Sequence, residues 1–399
     1  MSCLGDGTPG TGCEEWAGAL PITLIQPQRI LFGNGSVSHF SEHLAGLGLR
    51  RVLIVTSELA RKACQEAVSA ITGKVEAAIV FDGINSEPTV AMFEACLAVA
   101  REARVDGVIG LGGGSALDVA KLVAALADAS EPVRTVFGSG LVKGRRIFLA
   151  CLPTTAGTGS EVSPNAILLD EASRLKKAVI SPHLVPDVAC VDPLLAWSVP
   201  PHITAATGLD ALTHCIESFA NRFAHPTVDL YALEGIRLIA RHLPTAINEG
   251  KNSEARACVA MGSLYGGLCL GPVNTAAVHA LAYPLGSEFG IAHGLSNAVL
   301  LPHVLRFNLP AAPQRYAEIA LALGAGVAES PTTTAERGIR WLEALLADCP
   351  MPRRISELGV PREALPQLAA SALTVTRLLE NNPRTVTEAD ALAIYSAAY

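Results

Sequence analysis

A series of short apolar runs, each followed by a helical stretch, fills the first half of this chain and then stops. RVLIVT (51–56), AAIVF (77–81), GVIGL (107–111), RIFLACLPTT (146–155) and VACVD (188–192) are rich in β-branched residues and lack the polar alternation of a half-exposed strand. Such runs suit strands covered on both faces, and helical spacers between them predict βαβ units in a parallel sheet. Ser57 to Ile71 reads as one helix, and DGINSEPT as a turn leading into a helix that ends near Ala103. After WSVPP (197–201) the rhythm changes to long Ala/Leu-rich segments with few strand signals. The expected fold is therefore an α/β half with a parallel sheet, followed by an all-α half. Pro200 and Pro201 mark the change, because a prolyl pair starts a helix well and cannot continue one.

Composition narrows the function classes. Half the residues are hydrophobic, 17% are charged and the net charge is −7. This suits a compact globular protein, and with no Lys/Arg cluster it argues against nucleic acid or an anionic membrane as partner. The apolar runs are too short to span a bilayer. The start, MSCLGDGTPGTGCEEWAGALP, has neither a basic opening nor an apolar core. It reads as a loose tail over 1–20 rather than a signal peptide. Ten cysteines without a CxxC pair are read as reduced core thiols of a cytoplasmic protein.

Two loops have the chemistry of a phosphate cradle. GLGGGSALDVAK (110–121) leaves a strand and opens a helix. Its glycines let the backbone approach a ligand and adopt positive φ, and the amides of Gly113, Gly114 and Ser115 face a helix N-terminus that favours anions. The plain alternative is a tight strand-to-helix turn. PTTAGTGSE (153–161) also leaves a strand, and its hydroxyls donate to phosphate or ribose without adding charge. Ligands of parallel sheets bind outside the carboxyl ends of the strands, where both loops fall.

Four side chains could hold a metal. In GLDALTHCIE (208–217), Asp210 and His214 lie one helical turn apart on one face. In HALAYPLGSEFGIAH (279–293), His279 sits in a helix closed by Pro284 and Gly286, and His293 precedes another helix. Each histidine alone is an ordinary helix residue. Together, three imidazoles and a carboxylate suit Fe²⁺, Zn²⁺, Mn²⁺ or Ni²⁺ better than Mg²⁺ or Ca²⁺.

GGGSALDVAK, PTTAGTGSEV, GLDALTHCIE and the HALAYPLG…AHG pair, in this order from about Arg29 to the C-terminus, resemble the iron-containing (group III) alcohol dehydrogenases. The resemblance implies a dinucleotide-binding domain over 21–196, a helical metal-binding and substrate domain over 197–399, and an active site in the cleft between them. It implies Asp210, His214, His279 and His293 as ligands of a divalent metal, Fe²⁺ first and Zn²⁺ second. It places Gly114, Ser115, Asp118, Thr154, Thr155, Thr158 and Lys177 beside NAD or NADP, with Asp118 accepting from ribose, nicotinamide or backbone donors. The implied activity is hydride transfer to or from a small alcohol, aldehyde or ketone, in a homodimer.

Two residues depart from the family pattern. Where relatives often carry an Asp after the first strand of the nucleotide fold, this chain has Ser57, and Arg61 and Lys62 follow closely. An Asp there repels a 2′-phosphate, so Ser57 implies that NADP is tolerated. Where relatives often carry a second histidine one turn after the third ligand, this chain has Tyr283, either packing in the cleft wall or donating its hydroxyl to the reaction. The AYPLG variant is similar to branches acting on hydroxyacids and aldehyde acids. Alternatives are a maleylacetate-reductase-like or hydroxyacid-oxoacid-transhydrogenase-like enzyme, a dehydroquinate-synthase-like lyase, glycerol-1-phosphate dehydrogenase, or a metal-free nucleotide-binding protein. The lyase and the glycerol-1-phosphate enzyme take phosphorylated substrates, and the segments 208–219 and 274–300 contain no Lys or Arg to receive one.

Overall fold

The computed structural model describes residues 21–173 and 175–399; the expected tail over 1–20 lies outside them. In chain order the elements are β1 Arg29–Phe32, α1 Ser36–Ala45, β2 Arg51–Val55, α2 Glu58–Ala63, α3 Gln65–Thr72, β3 Ala77–Phe81, α4 Val90–Ala103, β4 Gly107–Gly112, α5 Gly114–Leu126, β5 Gly138–Ser139, β6 Phe148–Pro153, β7 Asn165–Asp170, β8 Leu175–Ile180 and β9 Val188–Val191. Helices follow: α6 Pro201–Phe219, α7 Pro226–Asn248, α8 Ser253–Leu270, α9 Ala277–Phe289, α10 His293–Asn308, α11 Pro313–Leu323, α12 Pro331–Asp348, α13 Leu365–Leu373, α14 Thr376–Leu379 and α15 Glu388–Ala398.

Six strands form one sheet in the order β1-β9-β6-β4-β2-β3, and every pairing in it is parallel. The central strand β4 is buried along its whole length, as its unbroken apolar run requires once helices cover both faces. Strand order reverses at β2, whose neighbours are β3 and β4. Chains leaving β2 and β4 therefore diverge, and a crevice opens at their carboxyl ends.

Two local expectations are corrected, and one sheet is added to them. The single helix over Ser57 to Ile71 is two, broken at Cys64, whose φ of −109° and ψ of 32° leave the helical region. A second, three-stranded sheet, β5-β8-β7, carries the segment after PTTAGTGSE. The helix bearing His279 is not closed by Pro284 and Gly286 but runs through both to Phe289, capped by Gly290 in the left-handed region. A proline removes one backbone donor and crowds the preceding turn. That cost is tolerated here because the helix is buried on most faces from Ala277 to Gly286 and packing holds it.

Hydrophobic clusters lie on the two faces of the sheet, and a large one fills the helical half. A small cluster of Val162, Ala189, Val191, Ala260, Leu264 and Leu268 ties β9 and the loop after β6 to α8. This contact fixes the cleft between the two halves. Of the cysteines, eight are described; all are free, and seven are buried. Among the described residues no helix is long and apolar enough to cross a membrane.

Candidate active site and metal centre

The glycine-rich loop runs from β4 into α5. Gly113 is the N-cap of α5 and supplies no side-chain cap, so the first amides of the helix are left for a ligand. The glycines are needed for close approach rather than for positive φ. A Cβ on Gly114 would lie 2.7 Å from Thr158 Cγ2, so only glycine lets the PTTAGTGSE loop close over the helix start. Thr155 and Thr158 face the cleft with Gly113, Gly114 and Ser115. Thr154 does not line it; the residue is buried and its amide donates to the Gly112 carbonyl at 2.9 Å.

Asp118 lines the cleft, but its carboxylate is already engaged. It accepts from Ser160 Oγ at 2.5 Å and from the Ile167 amide at 2.9 Å. Burial pushes its pKa up; Lys121, Ser160 and the Ile167 amide oppose that. Lys121 is fully buried and donates to Ser160 and to the Asn165 carbonyl, so it rivets the two loops together. Ser57 lies at the crevice between the ends of β2 and β4, in a cavity it shares with Gly113 and Ser115. Its Oγ caps α2 by accepting from the Ala60 amide at 3.1 Å. Arg61 and Lys62 are taken up by Asp82 and Glu58 and do not line that cavity.

Lys177 does not face the cleft. Alternate residues of a strand point to opposite faces, and on β8 it is Lys176 and Ala178 that line the cleft. Lys177 pairs with Asp170 at 3.2 Å and lies over the Phe137 ring. The basic residue at the cleft is therefore Lys176, one position earlier than the family motif suggested.

The metal-ligand candidates come together. Asp210 and His214 occupy one face of α6, His279 lies in the first turn of α9, and His293 opens α10. A Cβ on Gly294 would lie 2.4 Å from the Ala206 carbonyl, so glycine is what lets α10 start against α6. Ligand atoms of Asp210, His279 and His293 all lie within 4.8 Å of one another. From Asp210 Oδ1 the Nε2 atoms of His279, His293 and His214 lie at 3.6, 3.8 and 3.9 Å. His214 stands at the edge of the group, its ring stacked on His279 at 4.7 Å. Burial would push Asp210 up, but the imidazoles of His214, His293 and His279 hold it well below the usual carboxylate range. Burial lowers His214 to about 4 and His293 to about 3, so both are neutral and free to ligate near pH 7. His279 is raised to about 9: burial opposes its charge, and Glu217 and Asp210 outweigh the burial.

The surroundings fit a divalent cation. Asn297 Nδ2 lies 2.6 Å from Asp210 Oδ1, 3.1 Å from His279 Nε2 and 3.3 Å from His293 Nε2. The amide nitrogen thus sits where Asp210 Oδ1 and the Nε2 atoms of His279 and His293 converge, the place of a cation that displaces the His279 proton on binding. Asn297 Oδ1 and His214 Nδ1 are buried without a hydrogen-bond partner. Glu217 Oε2 meets His279 Nδ1 at 2.5 Å and Oε1 accepts from the Val278 amide at 2.6 Å. A carboxylate behind a histidine fixes its tautomer and leaves Nε2 for a metal.

Glu217, Asn297, Lys176 and Arg377 were missed from the sequence. Glu217 continues the face that carries Asp210 and His214, and Asn297 follows His293 by one turn, so helical spacing could have found both. Strand alternation could have separated Lys176 from Lys177. Nothing in the sequence points to Arg377, which comes from α14. Tyr283 lines the cleft, its ring 6.0 Å from that of His293. Burial raises its hydroxyl pKa, opposed by the guanidinium of Arg377 beside it.

The chain matches the family described as iron-containing alcohol dehydrogenase over residues 27–193, and the C-terminal part of the Fe-containing alcohol dehydrogenase family over 204–399. It is 39% identical to long-chain-alcohol dehydrogenase 1 of Geobacillus thermodenitrificans, over 94% of this chain and 96% of that one. It is 34% identical to 1,3-propanediol dehydrogenase of Klebsiella pneumoniae, over 94% and 98%. Among solved structures, a 1,3-propanediol oxidoreductase superimposes with a TM-score of 0.92 at 33% identity, covering 95% of this chain and all of that one. Sulfoacetaldehyde reductase from Bifidobacterium kashiwanohense, solved with NAD⁺, superimposes with a TM-score of 0.84 at 29% identity, covering 95% and 99%. With both halves matched along nearly their full length, the chain belongs to the iron-containing alcohol dehydrogenase family.

Proposed function

We propose that this alcohol dehydrogenase carries out its NAD(P)-linked hydride transfer in the cleft between the sheet and the helices, with Asp210, His214, His279 and His293 holding the metal. The observation that carries this reading is one cavity of ≈ 320 Å³ lined on one side by Gly113, Gly114, Ser115 and Thr158, and on the other by Asp210, His214, His279, His293 and Tyr283. Gly113 and Ser115 also line the crevice at Ser57. A dinucleotide whose pyrophosphate sits on the start of α5 then has its adenosine end toward Ser57 and its nicotinamide toward the metal ligands.

The reaction is RCH₂OH + NAD(P)⁺ ⇌ RCHO + NAD(P)H + H⁺. A bound divalent ion supplies Lewis acidity to the substrate oxygen, and the nicotinamide supplies the hydride acceptor or donor. The chain's own residues bind, orient and exclude water. Free amides at the start of α5 receive the pyrophosphate, Thr155 and Thr158 donate to it or to ribose, and Asp118 keeps the two loops in register. Glu217 orients His279, and Tyr283 offers its hydroxyl to the substrate oxygen or the ribose. The relatives' printed names, propanediol and long-chain-alcohol dehydrogenases among them, support a small or linear alcohol as substrate. A cytoplasmic homodimer is part of the same proposal and is tested by light scattering and fractionation.

The test is turnover of short alcohols and aldehydes with NAD and NADP, before and after chelation and with Fe²⁺ or Zn²⁺ restored. Chelation abolishes turnover while leaving most nucleotide binding intact. Activity that survives complete metal removal overturns the reading.

A further inference from the structure

The fold brings cations into the cleft that the ligand-bearing segments lack. Lys176 arrives from β8 and Arg377 from α14, and both line the cleft with Tyr283 and His293. Both also line a second cavity of ≈ 500 Å³ that shares the Tyr283 wall. Lys176 is compensated, since it pairs with Glu87, another cleft residue. Arg377 has no such partner. Among the described residues no ion pair joins it to a carboxylate, and its Nη1 is buried without a hydrogen-bond partner. Its guanidinium lies beside the Tyr283 hydroxyl. A guanidinium with an open donor nitrogen and no carboxylate partner at a cleft suits a planar or tetrahedral oxyanion, which it binds through its N–H groups.

We propose that Arg377 is an anion subsite of the active-site cleft, and that the preferred substrate is a short alcohol or aldehyde carrying a carboxylate or sulfonate a few bonds from the reacting carbon. The inference rests on the cleft being the site of hydride transfer. Tyr283 sets the spacing: its ring packs toward His293 and its hydroxyl lies beside Arg377. A substrate whose oxygen sits at the metal ligands thus reaches Arg377 by passing Tyr283. The anion neutralises the one cleft cation left without a carboxylate, whereas an uncharged substrate leaves Arg377 Nη1 unsatisfied.

The experiment uses the full-length, metal-loaded enzyme and matched substrate pairs: 3-hydroxypropanoate against 1-propanol, 4-hydroxybutanoate against 1-butanol, and 2-hydroxyethanesulfonate against ethanol. Wild type favours the anionic member of at least one pair. Arg377→Leu lowers kcat/KM for that member about tenfold to a hundredfold, the usual range for losing a charge-assisted hydrogen bond. It lowers kcat/KM for the neutral member by a clearly smaller factor, that of disturbing the neighbouring Tyr283 hydroxyl alone. Arg377→Lys keeps part of the preference. A second readout needs no turnover: butanoate binding to the enzyme–cofactor complex, followed by calorimetry, weakens in Arg377→Leu. The proposal is overturned if wild type favours every neutral member. Equal losses on both members mean a structural role and also overturn it, as does a rise confined to the cofactor KM, which assigns Arg377 to the nucleotide. Absence of turnover on every alcohol and aldehyde refutes the functional reading instead, and butanoate binding still reports on Arg377.

Discussion

Replacing Glu217 with glutamine should weaken metal binding while leaving the fold intact. The carboxylate is 5% exposed and both oxygens are used, Oε1 by the Val278 amide at 2.6 Å and Oε2 by His279 Nδ1 at 2.5 Å. Glutamine keeps a carbonyl for the Val278 amide, so the start of α9 loses little, within about 1 kcal/mol. What changes is the other oxygen. An NH₂ against Nδ1 makes that nitrogen an acceptor and moves the ring proton to Nε2, the atom that faces Asp210 at 3.6 Å. Recovering the ligating tautomer then sets one donor against another in a buried site. Removing such a partner costs about tenfold to a hundredfold in metal affinity, roughly 1.4–2.7 kcal/mol; the burial here places the effect at the upper end. The assay is a chelator-competition titration with Zn²⁺ or Fe²⁺, alongside thermal melting to confirm an unchanged fold. A dissociation constant within about threefold of wild type would refute the reasoning, because the tautomer argument allows no such indifference.

Tyr283→Phe keeps the packing against His293 and removes only the hydroxyl; metal content should stay the same and kcat should fall about tenfold to a hundredfold. His279→Ala or His293→Ala should lose the metal and nearly all activity; if instead Tyr283→Phe loses metal and His279→Ala keeps it, the ligands are misassigned. Ser57→Asp preserves the cap on α2, since aspartate accepts from the same amide. It should cut kcat/KM with NADP at least about tenfold relative to NAD, and a wild type that already rejects NADP by orders of magnitude would contradict the role given to Ser57. Burial pushes Glu161 from 4.5 up to about 7, with Lys121 opposing. The unfolded chain therefore loses this proton first, and stability falls as pH rises across that window, by about 3 kcal/mol. Glu161→Gln should raise Tm at pH 8 and leave it unchanged near pH 4.5; an equal effect at both would show that charge is not the cause.

Much of the site was legible because its chemistry lies in short stretches. Asp210 and His214 are one helical turn apart, and the spacing of an α-helix alone sets them on one face. The apolar runs at 107–111 and 146–155, spaced by helical segments, read as strands buried on both sides. Other residues were misread where one local rule hid another. Pro284 looked like a helix end, since proline disrupts a helix by itself, and burial of α9 overrode that. Lys177 looked like the cleft residue, whereas the pleat of β8 turns Lys176 inward and sends Lys177 to Asp170. Thr154 stands beside two cleft threonines and is spent on holding β6 to β4.

By itself, then, the sequence determined the succession of β2, β3, β4, β6 and β9, the helical character of the second half, the phosphate-cradling start of α5 and the identities of the metal-ligand candidates, because each depends on residues within a few turns of one another. Which strands became neighbours, and so where the crevice at Ser57 opens, depended on pairings across the whole first half. The convergence of Asp210, His279 and His293 depended on α6, α9 and α10 packing through a buried core. The arrival of Arg377 at the cleft depended on a short helix near the C-terminus folding back beside Tyr283. Contacts of this kind join residues far apart along the chain, and packing decides them after local preference has done its part.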